Sequence, residues 1–217
     1  NSPRRKRLLK KLQISFDTIP SNVIENKSLN LSPVDFATYW AEKKAVEVGK
    51  HKPRNLILGA DTIVSYGSQI FGKPKNKNDS FRMLNLLSGK THKVITCIVF
   101  YNKEKNIIQS TYKETYVTVD KIDKTEIWHY INTNNTLDKA GAYGIQGFFS
   151  VYISNINGCY YNVMGLPISL LYKEYKKMKN LIKYRIEISA ILVYIYLTLF
   201  LQTYIKIVFY FLLKTII

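Results

Sequence analysis

Asn55-Leu56-Ile57-Leu58-Gly59-Ala60-Asp61-Thr62-Ile63-Val64 is the stretch on which the reading of the fold turns. Residues 55–59 form a short apolar run ended by glycine, which reads as a buried strand continuing into 60–64. Tyr66-Gly67-Ser68-Gln69 then supplies a turn, so residues 61–72 read as a hairpin. Asp61 is an acid at the end of a buried run. In that position a carboxylate is either a turn former or a functional group at a sheet edge, and the local sequence leaves both readings open.

Working outward, Ser32-Pro33-Val34-Asp35 has the chemistry of a helix start: a hydroxyl to cap, a proline at the first helical position and an acid in the first turn. Phe36, Trp40 and Val46 or Val48 share one face of that helix, which ends near Gly49. Leu8, Leu9 and Leu12 repeat at helical spacing behind Ser2-Pro3, predicting a short first helix. Downstream, a helix is predicted over 78–88 with Phe81, Leu84 and Leu87 inward, closed by Gly89. Lys93–Tyr101 and Ile107–Val119 read as long strands around the turn 102–106. A helix near 123–133 leads to the glycine-rich loop 140–147. A further hairpin is expected at Asn155-Ile156-Asn157-Gly158, and a last helix at Pro167. Interspersed strands and helices define an α/β class, or α+β with a mixed sheet.

The 217 residues suffice for one sizeable core, and 47% apolar with 22% charged residues excludes wholesale disorder. Two cysteines, Cys97 and Cys159, cannot build a disulfide scaffold or a four-cysteine zinc site and read as free buried thiols in a reducing compartment. The formal charge of +17 favours polyanionic partners such as nucleotides, nucleic acid or an anionic membrane face. A compositional drift toward Lys, Asn, Ile and Tyr explains the same excess, so charge alone decides nothing. The opening is basic and lacks an apolar leader, so a cytoplasmic location is expected.

Two domains are expected: a body over 1–180 and an apolar tail over 181–217. Residues 188–205 carry no charge and meet the roughly 18–20 residues a membrane span needs. Lysines and Arg185 just before them would stay on the cytoplasmic side. A membrane anchor, a non-native extension and a soluble helix all stay open for this segment.

Four groups in the body can carry chemistry. Ser2-Pro3-Arg4-Arg5 places two guanidiniums at a helix N-terminus, a favourable phosphate site or a solvated basic start. Gly59-Ala60-Asp61-Thr62 offers the carboxylate. Gly72-Lys73-Pro74 projects an ammonium from a constrained turn. Asp138-Lys139-Ala140-Gly141-Ala142-Tyr143-Gly144-Ile145-Gln146-Gly147 combines an acid, a base and an amide with glycines that admit close approach of a ligand.

Taken in order, these groups together with Leu87-Ser88-Gly89-Lys90-Thr91-His92-Lys93-Val94 and Val163-Met164-Gly165-Leu166-Pro167-Ile168-Ser169 resemble the Maf family, nucleotide pyrophosphatases also described as septum-formation inhibitors. The resemblance covers about residues 1–172, with the family's first strand expected to end just before Ser2. It implies a mixed, elongated sheet with flanking helices in two lobes around a cleft. Asp61 is implied as the catalytic carboxylate that accepts a proton from water. Glu25 is implied, with Asp61, as a ligand for Mg²⁺ or Mn²⁺, while Ile24 stands where the family has a second acid. Arg4, Arg5, Lys44 and Lys73 are implied to handle phosphates. Arg4, Thr62 and Gln146 match the positions of the subgroup that prefers dTTP and UTP over 7-methyl-GTP. His92 belongs to a Ser-Gly-x-x-His turn and reads as structural; His51 and His129 have no ligand spacing.

The resemblance therefore implies a metal-dependent nucleoside triphosphate pyrophosphatase that releases a nucleoside monophosphate and pyrophosphate, removing modified pyrimidine triphosphates from the nucleotide pool. Alternatives are a regulatory or nucleic-acid-binding protein on the same fold, and a copy that has lost turnover. The absence of a basic stripe or an aromatic RNA-binding signature argues against nucleic acid as a partner. Family habit implies a homodimer.

Overall fold

Residues 57–64 become most of β1 (Ile57–Tyr66), which turns at Gly67 into the short β2 (Gln69–Phe71) as the predicted hairpin. Ahead of it lie α1 (Pro3–Lys10) and α2 (Pro33–His51); after it come α3 (Lys77–Leu87), β3 (Thr91–Asn102), β4 (Ile107–Val119), α4 (Lys124–Thr133), β5 (Ile153–Asn157), α5 (Tyr160–Val163) and α6 (Ile168–Thr215). This computed structural model describes residues 2–26 and 29–215, the side chains of 185–190 and 198–215 excepted. The strands form one sheet in the order β2-β1-β3-β4-β5, and every pairing between them is antiparallel.

Strand alternation gives this sheet two apolar faces. On one, Ile63, Ile95, Cys97 and Val99 pack against Phe36, Ala37, Trp40, Ala41 and Ala45 of α2. On the other, Val64, Val94, Val117 and Val119 meet Leu84 and Leu87 of α3, Ile127 and Ile131 of α4, and Tyr143 and Phe149. Each fully buried Leu, Ile or Phe contributes roughly 1.5–3 kcal/mol relative to exposure. Phe81 sits at the rim of this core, stacked on Trp128 at 4.8 Å. The helix caps follow the sequence: Ser32 Oγ accepts from Asp35 N at 3.2 Å, and Ser2 caps α1 through Arg5 N at 3.4 Å.

Two expectations change. Residues 155–158 do not form a hairpin: Ile153–Asn157 is one strand, paired along Val119–Tyr116, and Gly158 leads into α5. Gly158, at φ +136, bends the chain away beside Thr115 without a returning strand. Cys97 is buried as expected, whereas Cys159, the cap of α5, is only half-buried.

Contacts divide the chain into Asn1–Lys173 and Glu174–Ile217. The second unit is helical through Thr215, with Lys177 Nζ donating to Glu174 Oε1 at 2.7 Å and an exposed apolar run over 191–197. Among the described residues no helix is long and apolar enough to cross a membrane; the 188–205 segment lies mostly outside the residues whose side chains are described.

Candidate active site

The helical period of α2 puts Lys44 on the same face as Ala37, Trp40, Ala41 and Val48, directly over β1. The close approach depends on Gly59. A Cβ there would run into the Ala41 carbonyl oxygen and lie 2.8 Å from Ala45 Cβ. With only hydrogen at Gly59, the helix backbone settles onto the strand and the lysine head reaches Asp61. Lys44 Nζ lies 2.6 Å from Asp61 Oδ1 and 2.6 Å from Glu25 Oε1. Glu25 comes from the irregular segment between α1 and α2, so one ammonium ties that segment, the helix and the strand together. Ile24 points to solvent, 91% exposed.

Asp61 is only 8% exposed. Burial pushes its carboxyl above the usual carboxylate range, and Lys44 and Arg5 oppose this only in part. A buried carboxylate with a raised pKa is a stronger base than an ordinary one. Glu25 and Asp61 place two oxygens around a single cation. Among the described residues no group of three or more His, Cys, Asp or Glu could hold a metal.

Thr62 follows Asp61 and so faces the opposite side of the sheet. There Arg5 serves three acceptors: Nη2 donates to Thr62 Oγ1, Nη1 to the Ala60 carbonyl and Nε to the Gly165 carbonyl, each at 2.8 Å. A polar seam continues from Thr62 Oγ1 to Thr96 Oγ1 at 2.9 Å, from Thr96 to the Asn162 carbonyl at 3.2 Å, and from Asn162 Nδ2 to Thr115 Oγ1 at 2.9 Å. Arg4 turns the other way: Nη1 donates to Asp138 Oδ2 at 2.8 Å and Nη2 to the Asp138 carbonyl at 3.1 Å.

Lys73 and Gln146 stand exposed on separate turns. The two segments are joined where Gly141 N donates to the Gly72 carbonyl at 3.1 Å. Gly141, at φ +68, also lies against Val64, where a Cβ would come within 2.9 Å of Cγ2. Of the residues proposed from sequence, the structure thus gathers Glu25, Lys44 and Asp61 into one contact group and Arg5 with Thr62 into another, with Arg4 held beside the glycine-rich loop. Sequence reasoning missed the Thr96–Asn162 seam, for which isolated polar residues in apolar runs gave no signal. It also quoted Asp138 without giving it a partner. A concavity of about 840 Å³ near Ser88, Lys121 and Lys124 includes none of these residues.

The model of the family described as Maf-like protein matches residues 1–178. A dTTP/UTP pyrophosphatase of Bacillus cereus strain G9842 is 44% identical over 176 residues, covering 81% of this chain and 91% of its own length. A dTTP/UTP pyrophosphatase of Bacillus cytotoxicus is 44% identical over 179 residues, 82% of this chain and 93% of its own. One of Bacillus anthracis is 44% identical over 176 residues, with 81% and 91% covered.

Proposed function

The chain belongs to the Maf family, and on that premise we propose that it is a nucleoside triphosphate pyrophosphatase that cleaves dTTP and UTP to the nucleoside monophosphate and pyrophosphate. The observation that carries this reading is the Lys44 ammonium set 2.6 Å from both Asp61 and Glu25 on one face of β1. The names of the relatives at 44% identity give the substrate class.

Hydrolysis between the α and β phosphates needs a positioned water, a base and neutralisation of charge on the phosphate oxygens and the pyrophosphate leaving group. Asp61 is the base: its raised pKa lets the carboxylate take the water proton as the oxygen attacks phosphorus and the bond to the pyrophosphate oxygen breaks. Lys44, Lys73 and Arg4 supply the positive charge. Arg5 would reach a phosphate only by giving up Ala60, Thr62 and Gly165, so in the described arrangement it holds Thr62 in place. Thr62, Arg4 and Gln146 select the pyrimidine nucleotide.

The donor chemistry fits a divalent metal, because two hard carboxylate oxygens already share one cation. Mg²⁺ usually takes one or two carboxylates together with substrate phosphates and waters. Glu25 and Asp61 would hold Mg²⁺ or Mn²⁺, which when bound adds charge neutralisation at the phosphate oxygens.

The test is pyrophosphate release from dTTP, UTP, 7-methyl-GTP and ATP with Mg²⁺ or Mn²⁺, beside Asp61→Asn. Turnover of dTTP and UTP should fall by about 10²–10⁴ in the variant while dTTP binding persists. Equal turnover in parent and variant would remove Asp61 from the mechanism. A folded parent with no turnover of any nucleotide would overturn the enzyme reading.

A further inference from the structure

Asp138 is the acid of the glycine-rich segment, and no role follows for it from the chemistry above. Yet it is a half-buried carboxylate held by two cations from different segments. Oδ2 accepts from Arg4 Nη1 at 2.8 Å and Oδ1 accepts from Lys139 Nζ at 2.6 Å, while its own carbonyl takes Arg4 Nη2 at 3.1 Å. Lys139 Nζ also donates to the Asn135 carbonyl. Burial works against ionisation here, but Lys139 and Arg4 together hold the carboxyl below the usual range. Two donors of one guanidinium on two atoms of one residue fix that guanidinium in plane and direction, which a single exposed ion pair does not.

The position of this clamp matters. Arg4 lies in α1, 134 residues away in sequence, and its neighbour Arg5 secures Thr62 on β1. The segment that begins at Asp138 docks on Gly72 and Val64 through Gly141 and ends at Gln146. Lys139 lies across the same loop, so close to Gly144 that a Cβ there would meet its Cε at 3.0 Å. Asp138 is thus the link between the helix that carries Arg4 and the loop that carries Gln146.

We propose that Asp138 is a positioning residue for pyrimidine triphosphate binding: it aims Arg4 and fixes that helix to the Gln146 loop, without itself touching the substrate. This role rests on the pyrophosphatase reading. It works through Arg4, so removing either partner costs the same interaction and removing both costs it only once.

The experiment is a four-corner comparison of parent, Asp138→Asn, Arg4→Gln and the double variant. KM and kcat are measured for dTTP and ATP with Mn²⁺, and dTTP affinity by calorimetry. Asp138→Asn should raise KM for dTTP and weaken binding about tenfold, the scale of a lost charge-assisted hydrogen bond, and Arg4→Gln should do so by at least as much. In Asp138→Asn the kcat should stay within about twofold, whereas Arg4→Gln, which also removes a cation from the phosphates, should lose turnover as well; in both the preference for dTTP over ATP should shrink, and the double variant should be no worse than Arg4→Gln. An unchanged KM in Asp138→Asn, losses that multiply in the double variant, or a loss confined to kcat would each overturn the proposal. Should Asp138→Asn not fold, the pair Asp138→Glu and Asp138→Gln decides the matter. The charged variant should recover most of the parent KM and the neutral one should not, and equal values overturn the role. Parent turnover with multiplying losses sinks the Asp138 role alone; a parent that neither binds nor cleaves dTTP or UTP sinks the pyrophosphatase reading and this role with it.

Discussion

Lys44 holds two carboxylates that are also the residues best able to hold a divalent cation. An ammonium 2.6 Å from both oxygens would repel a divalent ion held by the same carboxylates, so the two cations would oppose each other there. Replacing Lys44 with Met should therefore have opposite effects on two measurements. Binding of Mn²⁺ alone, followed by the electron paramagnetic resonance of the free ion, should tighten by about tenfold or less, since one nearby charge in a partly exposed setting contributes about 1 kcal/mol. Turnover of dTTP should fall, because the phosphates lose a cation. Unchanged or weaker Mn²⁺ binding would show that the ammonium and the metal do not share the site. At this scale much was legible in the sequence. An acid ending a buried run drew attention to Asp61 while leaving a turn and a functional role open, and family likeness pointed to Asp61, Glu25 and Lys44. The bridge between them was not legible, because it is made by three segments far apart in the chain.

Among the elements, the contact between α2 and β1 decides whether that bridge exists. The Ser32-Pro33 start and the Phe36–Trp40 face fix the helix and its inward side, and both could be read locally. How near the helix comes to the strand depends on Gly59, which the sequence reading used only as the end of an apolar run. Gly59→Ala should push α2 outward from the Ala41 carbonyl and Ala45, costing about 1–3 kcal/mol in urea unfolding. Turnover should fall further than stability explains, as Lys44 withdraws from Asp61. A variant with the parent's midpoint and activity would show that the helix can shift without loss. The misread turn at 155–158 has a related cause. Asn and Gly mark a change of direction, but only the partner strand decides whether the chain returns as a strand, and there it enters α5 instead.

For the molecule as a whole, the glycine-rich loop is tied to the sheet through a histidine with no part in the chemistry. His92 lies at the start of β3, almost fully buried, with Nε2 2.7 Å from Tyr143 Oη and no partner for Nδ1 among the described residues. Tyr143 belongs to the segment that runs from Asp138 to Gln146, so this hydrogen bond anchors the glycine-rich loop to β3. Burial pushes the imidazole down from 6.5 to about 4. Between those values the unfolded chain binds a proton that the folded chain does not, so stability rises with pH across the window and is lost as pH falls from 6.5 towards 4. The full effect is about 3 kcal/mol, a sizeable part of the stability of a domain this size. Urea unfolding at a series of pH values should show that loss in the parent. In His92→Gln, which can keep a polar contact to Tyr143 but cannot titrate, the curve should be lower at neutral pH and flatter below 6.5. An acid limb of equal slope in both proteins would assign the loss to other groups and leave His92 as packing alone.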